Sequence, residues 1–180
     1  MIIPTAICRR RKANAPIIDP TASVRDTLGR LAEALVMNDE GERAAASQPR
    51  VILYLEDDDP TAYLFERTVR ELSSAALLYR VIDCAFGMAF LRQETPFVGV
   101  ARPHVVVLDL HLGADSGFTF LRAVRSDPAF ARLPVIIFTS SDTACDRIEA
   151  RRNLADGYLV KSVDLSAFTS AAELALRLAA

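Results

Sequence analysis

Cysteine, lysine and long apolar stretches are all scarce in this chain of 180 residues. The three cysteines (Cys8, Cys84 and Cys145) are scattered, which suits neither a disulfide framework nor a tetrahedral metal site. No apolar run approaches the roughly eighteen residues that are needed to cross a bilayer. The first residues, MIIPTAICRRRK, place their charges after a short apolar stretch, the reverse of a secretory signal. We therefore expect a cytoplasmic protein that has no membrane partner.

A strong excess of one charge is also missing. The formal net charge is −2, from 21 basic and 23 acidic residues, so the whole chain has no electrostatic signature of a nucleic-acid partner. The residues are 51% hydrophobic and 24% charged, with 7 glycines and 9 prolines. These values are close to the average of globular domains, so they support a buried core and exclude wholesale disorder.

The first 48 residues differ from the rest in composition, with a basic stretch, RRRK, near the start. Apolar residues recur there at helical spacing: Val24, Leu28, Leu31 and Leu35. We predict a partly disordered extension over 1–48, with one amphipathic helix over about 21–37 and a polar linker over 38–48. The main domain is expected over 49–180. Met37 is an alternative start of the chain, which would leave that domain alone.

From Val51 onward, short β-rich runs alternate with helical segments. The runs are VILYL (51–55), LLYRVI (77–82), PHVVVLDL (103–110), PVIIFT (134–139) and GYLVK (157–161). The first helix is expected to have Asp59 as its N-cap and Pro60 at its first position, and the last to begin near Asp164. This alternation predicts right-handed crossovers and a doubly wound parallel sheet of five strands, with helices on both faces.

Polar side chains lie at the carboxyl ends of four predicted strands. In sheets of this kind, ligands bind beyond the carboxyl ends of the strands, where the strand order reverses. Because all these ends meet at one edge of the sheet, we expect the polar residues to form one site. The set comprises Glu56, Asp57, Asp58, Asp109, Thr139 and Lys161.

The residue types in this set predict phosphoryl chemistry. Neighbouring carboxylates repel one another unless a cation lies between them, and hard oxygen ligands suit Mg²⁺ rather than zinc. Asp109, at the end of the most apolar strand, is a candidate nucleophile that would form an aspartyl phosphate. Mg²⁺, Lys161 and Thr139 would then neutralise the phosphoryl oxygens. Only two of the 21 basic residues are lysines, Lys12 and Lys161, which indicates that the site requires a compact ammonium.

The motifs resemble the receiver domain of bacterial response regulators. The likeness runs from about Val51 to the C-terminus and rests on YLEDD, LDLHLGADSG, FTSS and YLVKS. It implies a flavodoxin-like fold with strand order 2-1-3-4-5. It also implies a single-domain regulator of a two-component phosphorelay that is phosphorylated by a sensor histidine kinase or a phosphotransfer protein. Such a regulator catalyses its own phosphorylation and slow dephosphorylation, and is no classical enzyme. The stretch FLRAVRSDPAFARLPVIIFTSS is similar to the stand-alone receivers that are paired with bacteriophytochromes.

The resemblance implies a role for each site residue. Asp109 would be the phosphoacceptor, with Lys161 as a catalytic partner. Asp57 would bind Mg²⁺ directly, Glu56 would bind it through water, and the backbone carbonyl of His111 would complete the protein ligands.

A switch and an output surface are implied as well. The hydroxyl of Thr139 would move toward the phosphoryl group while the ring of Tyr158 repacks. No DNA-reading domain follows the receiver pattern, so we expect output through protein contacts. We predict a homodimer through the fourth helix, fifth strand and fifth helix of the domain.

Two positions depart from the family pattern. Ser162 follows the lysine where the family usually has proline, and Gly113 lies four residues after Asp109 where the family often has proline. Neither change removes a catalytic group. Both alter the loops beside the site, so the phosphoryl lifetime stays open.

Two other functions also stay open. The run 57–61 (DDDPT) fits the D-x-D-x-T motif of haloacid dehalogenase-like phosphatases. That family needs a further acidic pair after the lysine, and Asp164 and Glu173 are the only acids that follow here. The second alternative is a degenerate receiver that acts purely as a binding module, although the complete set of acids, threonine and lysine argues against it.

Overall fold

The computed structural model describes residues 49–113, 115–162 and 164–180. In chain order its elements are β1 (Val51–Leu55), α1 (Asp59–Leu72), β2 (Leu77–Val81), α2 (Cys84–Arg92), β3 (Val105–Leu108), β4 (His111–Leu112), β5 (Asp115–Ser116), α3 (Gly117–Ser126), β6 (Val135–Thr139), α4 (Ala144–Arg152), β7 (Gly157–Val160) and α5 (Leu165–Leu178). The predicted extension over 1–48, with its helix and linker, lies outside the described residues.

Five of the strands form one parallel sheet in the order β2-β1-β3-β6-β7. Numbered along the chain as five strands, this is the predicted order 2-1-3-4-5, so the flavodoxin-like fold is confirmed. The strand order reverses between β1 and β3, which pair side by side from Ile52 with Val105 to Leu55 with Leu108. Both strands are buried throughout, as expected for the centre of a sheet that is covered on two faces.

Helices cover both faces of the sheet. α1 and α5 pack on one face, against side chains such as Tyr54, Val107 and Phe138. α2, α3 and α4 contribute to the apolar layer on the other face, around Leu55 and Leu108. The two layers follow from the strand period of two, which turns Tyr54 and Leu55 to opposite faces. No helix in the described part of the chain is long and apolar enough to cross a membrane.

The boundaries of the elements differ in places from the predicted ones. The cap of α1 is Asp58 rather than Asp59: its carboxylate accepts the Thr61 N–H at 2.8 Å, and Pro60 becomes the second helical residue. Asp59 instead pairs with Arg80 at 2.6 Å. The third strand ends at Leu108, so Asp109 lies in the following loop. β4 and β5 form a short antiparallel hairpin that the sequence pattern did not predict.

Candidate functional site

Four strand ends bring the predicted site residues to one edge of the sheet. Glu56 and Asp57 follow β1, Asp109 follows β3, Thr139 ends β6 and Lys161 follows β7. Carboxylate oxygens of Glu56, Asp57 and Asp109 lie within 4.8 Å of one another. Glu56 and Asp109 are buried, at 1% and 5% exposure, whereas Asp57 is exposed. The cluster is therefore open to solvent on the side of Asp57.

Lys161 joins two of these carboxylates. Its Nζ lies 2.5 Å from Oε2 of Glu56 and 2.6 Å from Oδ2 of Asp109. The backbone N–H of Lys161 donates to the carbonyl of Thr139 at 2.7 Å, which fixes the base of the side chain on β6. Burial raises the pKa of the Glu56 carboxyl, while the ammonium beside it acts in the opposite direction. One half-buried cation thus faces two buried acids.

The second oxygen of Asp109 identifies what the cluster can hold. Oδ1 is buried and has no hydrogen-bond partner among the described residues. Buried carboxylate oxygens normally have a partner, so this one is ready to accept a ligand. Three hard oxygen donors with one side open to water fit a divalent cation of the Mg²⁺ type. The donor set therefore fits the predicted metal.

Asp57 is tied to the loop after β4. Its Oδ2 accepts the backbone N–H of Gly113 at 2.8 Å. Gly113 has φ +58, a left-handed conformation that glycine adopts without strain. Proline could make neither this bond nor this conformation, because it lacks the N–H and has φ near −65°. The departure from the family pattern at Gly113 thus adds a hydrogen bond to one of the clustered acids.

Thr139 and Tyr158 are connected through Ser141. The Ser141 N–H donates to Oγ1 of Thr139 at 3.4 Å, and its carbonyl accepts the Tyr158 hydroxyl at 2.9 Å. The guanidinium carbon of Arg147 lies 4.8 Å from the centre of the Tyr158 ring. Thr139 is fully buried at the site, whereas Tyr158 is half-buried. A movement of Thr139 would therefore be transmitted to Tyr158 through Ser141.

His111 begins β4, two residues after Asp109, with its side chain exposed. It lies outside the group of three clustered side-chain carboxylates, Glu56, Asp57 and Asp109. Ser162, the second departure from the family pattern, is exposed and donates its hydroxyl to the carbonyl of Asp164 at 3.2 Å. This bond links the residue after Lys161 to the cap of α5.

Two residues that the sequence analysis did not single out contact the acidic loop. Tyr54 is fully buried and donates its hydroxyl to Oε2 of Glu56 at 2.7 Å. Burial raises the pKa of this phenol, so it stays a donor at physiological pH. Arg80 donates to the carbonyls of Glu56 and Asp57, at 2.8 and 2.9 Å, and pairs with Asp59. Strand pairing of Tyr54 with Arg80 places both beside the loop.

The comparisons with known proteins agree with this architecture. Residues 52–173 match the family model of the response regulator receiver domain. The chain belongs to this family. Receiver domains are the regulators of two-component signalling, partner with histidine kinases and bind divalent metal at an acidic pocket. The cluster of Glu56, Asp57 and Asp109 is consistent with such a pocket.

Three similar receiver proteins illustrate the likeness. Response regulator Rcp1 of Synechocystis sp. is 30% identical over 120 residues, which are 67% of this chain and 82% of Rcp1. The Mn(2+)-bound crystal structure of Rcp1 has a TM-score of 0.63 at 29% identity, covering 69% of this chain and 90% of that one. The phosphorylated cyanobacterial phytochrome response regulator RcpA has a TM-score of 0.64 at 27% identity, covering 69% and 89%. The bacteriophytochrome response regulator RtBRR has a TM-score of 0.58 at 31% identity, covering 71% and 77%.

Proposed function

We propose that this receiver domain accepts a phosphoryl group on Asp109 from a sensor histidine kinase, with Mg²⁺ as cofactor, and signals through protein contacts. The observation that best supports this proposal concerns the Oδ1 atom of Asp109. Oδ1 is buried and has no hydrogen-bond partner within 49–113, 115–162 and 164–180, and it lies beside two other carboxylates and the Lys161 ammonium. This arrangement favours a phosphoacceptor over a receiver that acts purely as a binding module.

The residues divide the chemistry among them. Glu56, Asp57, Asp109 and the backbone carbonyl of His111 would hold Mg²⁺, which supplies charge neutralisation for the phosphoryl oxygens when it is bound. The carboxylate of Asp109 attacks phosphorus as the phosphorus–nitrogen bond of a donor phosphohistidine breaks. The imidazole leaves with the electron pair of that bond. The product is a mixed phosphate–carboxylate anhydride on the Asp109 side chain.

Two further side chains respond to the new charge. Lys161 keeps its ammonium at the acidic edge, where it neutralises a phosphoryl oxygen. The hydroxyl of Thr139 moves toward the phosphoryl group, and Ser141 carries the movement to Tyr158, whose ring repacks. The proposed switch therefore runs through one chain of contacts from the site to the surface.

Small-molecule phosphorylation tests the proposed phosphoacceptor. Acetyl phosphate should label the wild-type protein by one phosphoryl mass when Mg²⁺ is present and leave it unlabelled in EDTA, as read by intact mass spectrometry. Asp109→Asn should abolish the label. Asp115→Asn, which removes an exposed carboxylate on β5, is the matched control and should label normally. Wild-type labelling of Asp109→Asn, or full labelling in EDTA, would refute the proposal.

The partner that the similar proteins favour is a bacteriophytochrome-type histidine kinase. RcpA and RtBRR are by name a phytochrome and a bacteriophytochrome response regulator. We expect an autophosphorylated kinase of this class to transfer its phosphoryl group to Asp109 within minutes, and a kinase of another sensory class to transfer it far more slowly. Equal rates with both kinases would remove the bacteriophytochrome assignment and leave the receiver function intact.

The proposed homodimer uses α4, β7 and α5. Ile148 on α4 is 50% exposed and Leu165 at the start of α5 is 59% exposed, which supports a contact there. The rest of α5 contributes less than its composition suggested, since Phe168 and Leu176 are buried in the core. Light scattering of the full chain should give a dimer mass with beryllofluoride and Mg²⁺ and a smaller mass without them. A monomer under both conditions would exclude the dimer.

A further inference from the structure

Tyr54 places a hydroxyl directly beneath the acidic site. It lies on β1, two residues before Glu56, and is fully buried. Its ring packs against Phe65, with 4.6 Å between the ring centres, in the apolar layer between the sheet and α1. The hydroxyl reaches out of this layer to Oε2 of Glu56 at 2.7 Å. The core side of Glu56 is thus occupied by a neutral donor.

Three donors fix the orientation of the Glu56 carboxylate. Oε2 accepts both the Tyr54 hydroxyl and the Lys161 ammonium, the latter at 2.5 Å. Oε1 accepts only the longer bond from the Asp58 N–H, at 3.3 Å, among the described residues. Oε2 is therefore held toward the core and the lysine, whereas Oε1 remains turned to the loop that also carries Asp57.

Once Asp109 is phosphorylated, Glu56 and the phosphoryl oxygens compete for the Lys161 ammonium. Its ammonium already serves Glu56 and Asp109. Phosphorylation of the Asp109 carboxylate removes the charge there and puts new negative charge on the phosphoryl oxygens, so the ammonium is drawn toward them. Glu56 is only 1% exposed and has little access to water. A buried carboxylate that loses its cation without another donor is strongly disfavoured.

We propose that Tyr54 is a positioning residue of the phosphorylation site, whose hydroxyl keeps Glu56 in place and partnered while Lys161 turns to the phosphoryl group. This inference rests on the proposed function. The Tyr54 hydroxyl makes no hydrogen bond to Asp109 among the described residues, and it acts through Glu56. Without the hydroxyl, Glu56 competes harder for the ammonium, and its Oε1 loses its alignment with the acidic cluster.

Tyr54→Phe tests the inference, because it removes one oxygen and keeps the packed ring. We expect roughly fivefold weaker Mg²⁺ binding by isothermal titration calorimetry, and labelling by acetyl phosphate at saturating Mg²⁺ that is slower by at least the same factor. Tyr79→Phe is the matched control. Tyr79 lies half-buried on the adjacent β2, and its hydroxyl makes no hydrogen bond among the described residues. That variant should bind Mg²⁺ and take the label as the wild type does.

A second pair of variants separates positioning from a general loss of packing. Glu56→Gln removes the charge that Tyr54 serves, so adding Tyr54→Phe to it should change Mg²⁺ binding and labelling little further. An undiminished effect of Tyr54→Phe in the Glu56→Gln background would overturn the inference, as would wild-type behaviour of Tyr54→Phe alone. Failure of the wild-type protein to take the label would instead refute the proposed function. Thermal unfolding of all variants verifies that the fold is kept.

Discussion

A β-carbon added to Gly117 would lie 2.2 Å from the backbone oxygen of Asp109. The same atom would lie 2.9 Å from the α-carbon of Leu110. The N–H of Gly117 also donates to the carbonyl of Leu110 at 2.9 Å, so the start of α3 lies directly against the loop of the proposed phosphoacceptor. Any side chain at position 117 must displace the backbone that carries Asp109.

We predict that Gly117→Ala lowers phosphorylation of Asp109 at least tenfold and destabilises the fold by about 1–3 kcal/mol, a typical range for overpacking. The control is Gly87→Ala, whose new β-carbon would meet side-chain atoms of Leu55 and Phe120 at 2.8 Å. It should reduce stability and leave labelling of the folded protein normal. Acetyl phosphate labelling beside urea unfolding measures both effects. Normal labelling of Gly117→Ala would contradict the prediction.

Lys161→Arg should keep the fold and lose most of the phosphorylation-dependent response. The Lys161 ammonium lies 2.5 Å from the Glu56 carboxylate and 2.6 Å from that of Asp109, and the lysine side chain is 12% exposed. A planar, forked guanidinium does not place its charge at the same point. We expect labelling by acetyl phosphate to fall about tenfold or more. Lys12→Arg makes the same change at the other lysine and serves as the control. Equal labelling of both variants would show that Lys161 needs only its charge.

Arg80→Lys should weaken Mg²⁺ binding about three- to tenfold, since a lysine keeps the charge but cannot make the fork of bonds to the acidic loop. Arg80 donates to the carbonyls of Glu56 and Asp57 and pairs with Asp59. Arg67→Lys, in an exposed pair with Glu71, is the matched control and should bind Mg²⁺ normally. Calorimetric titration compares the two. If the two variants bind alike, the charge of Arg80 matters and its geometry does not.

Asp58→Ala should destabilise the fold by about 0.5–2 kcal/mol at pH 7, the usual effect of losing a helix cap. Hydrogen bonds from Thr61 hold the pKa of Asp58 below its usual value. A lowered folded pKa means that the ionised cap stabilises the fold fully above about pH 4, and that this stability is lost as pH falls through the folded pKa. Urea unfolding should therefore show the gap between wild type and variant narrowing toward pH 3. A gap that is constant with pH would contradict this account.

Placement at strand ends was the most predictable property of the site. Parallel strands bring their carboxyl ends to one edge, so the meeting of Asp109 and Lys161 followed from short apolar runs and the residues after them. The roles of these residues, and the cytoplasmic location, stay predictions. The sequence places the cap of α1 one residue late because Asp57, Asp58 and Asp59 are consecutive residues of one type, and only the structure shows which carboxylate accepts the Thr61 N–H.

Tyr54 and Arg80 could not be assigned from pattern alone. A tyrosine in a β-rich run predicts only a side chain that packs in the core. The structure shows that the Tyr54 hydroxyl donates to Glu56. The contact of Arg80 with the loop depends on the register between β1 and β2, which places it opposite Tyr54. The β4–β5 hairpin was missed because two-residue strands carry no periodicity.

The scarcity of lysine makes Lys161 a natural spectroscopic reporter. Its side chain, 12% exposed, is one of only two lysine amines in the sequence. Selective ¹⁵N labelling of lysine in a Lys12→Arg background would leave a single side-chain resonance, from inside the acidic cluster. Magnetic resonance could then follow metal loading and phosphoryl transfer in real time, without a chemical tag attached to the protein.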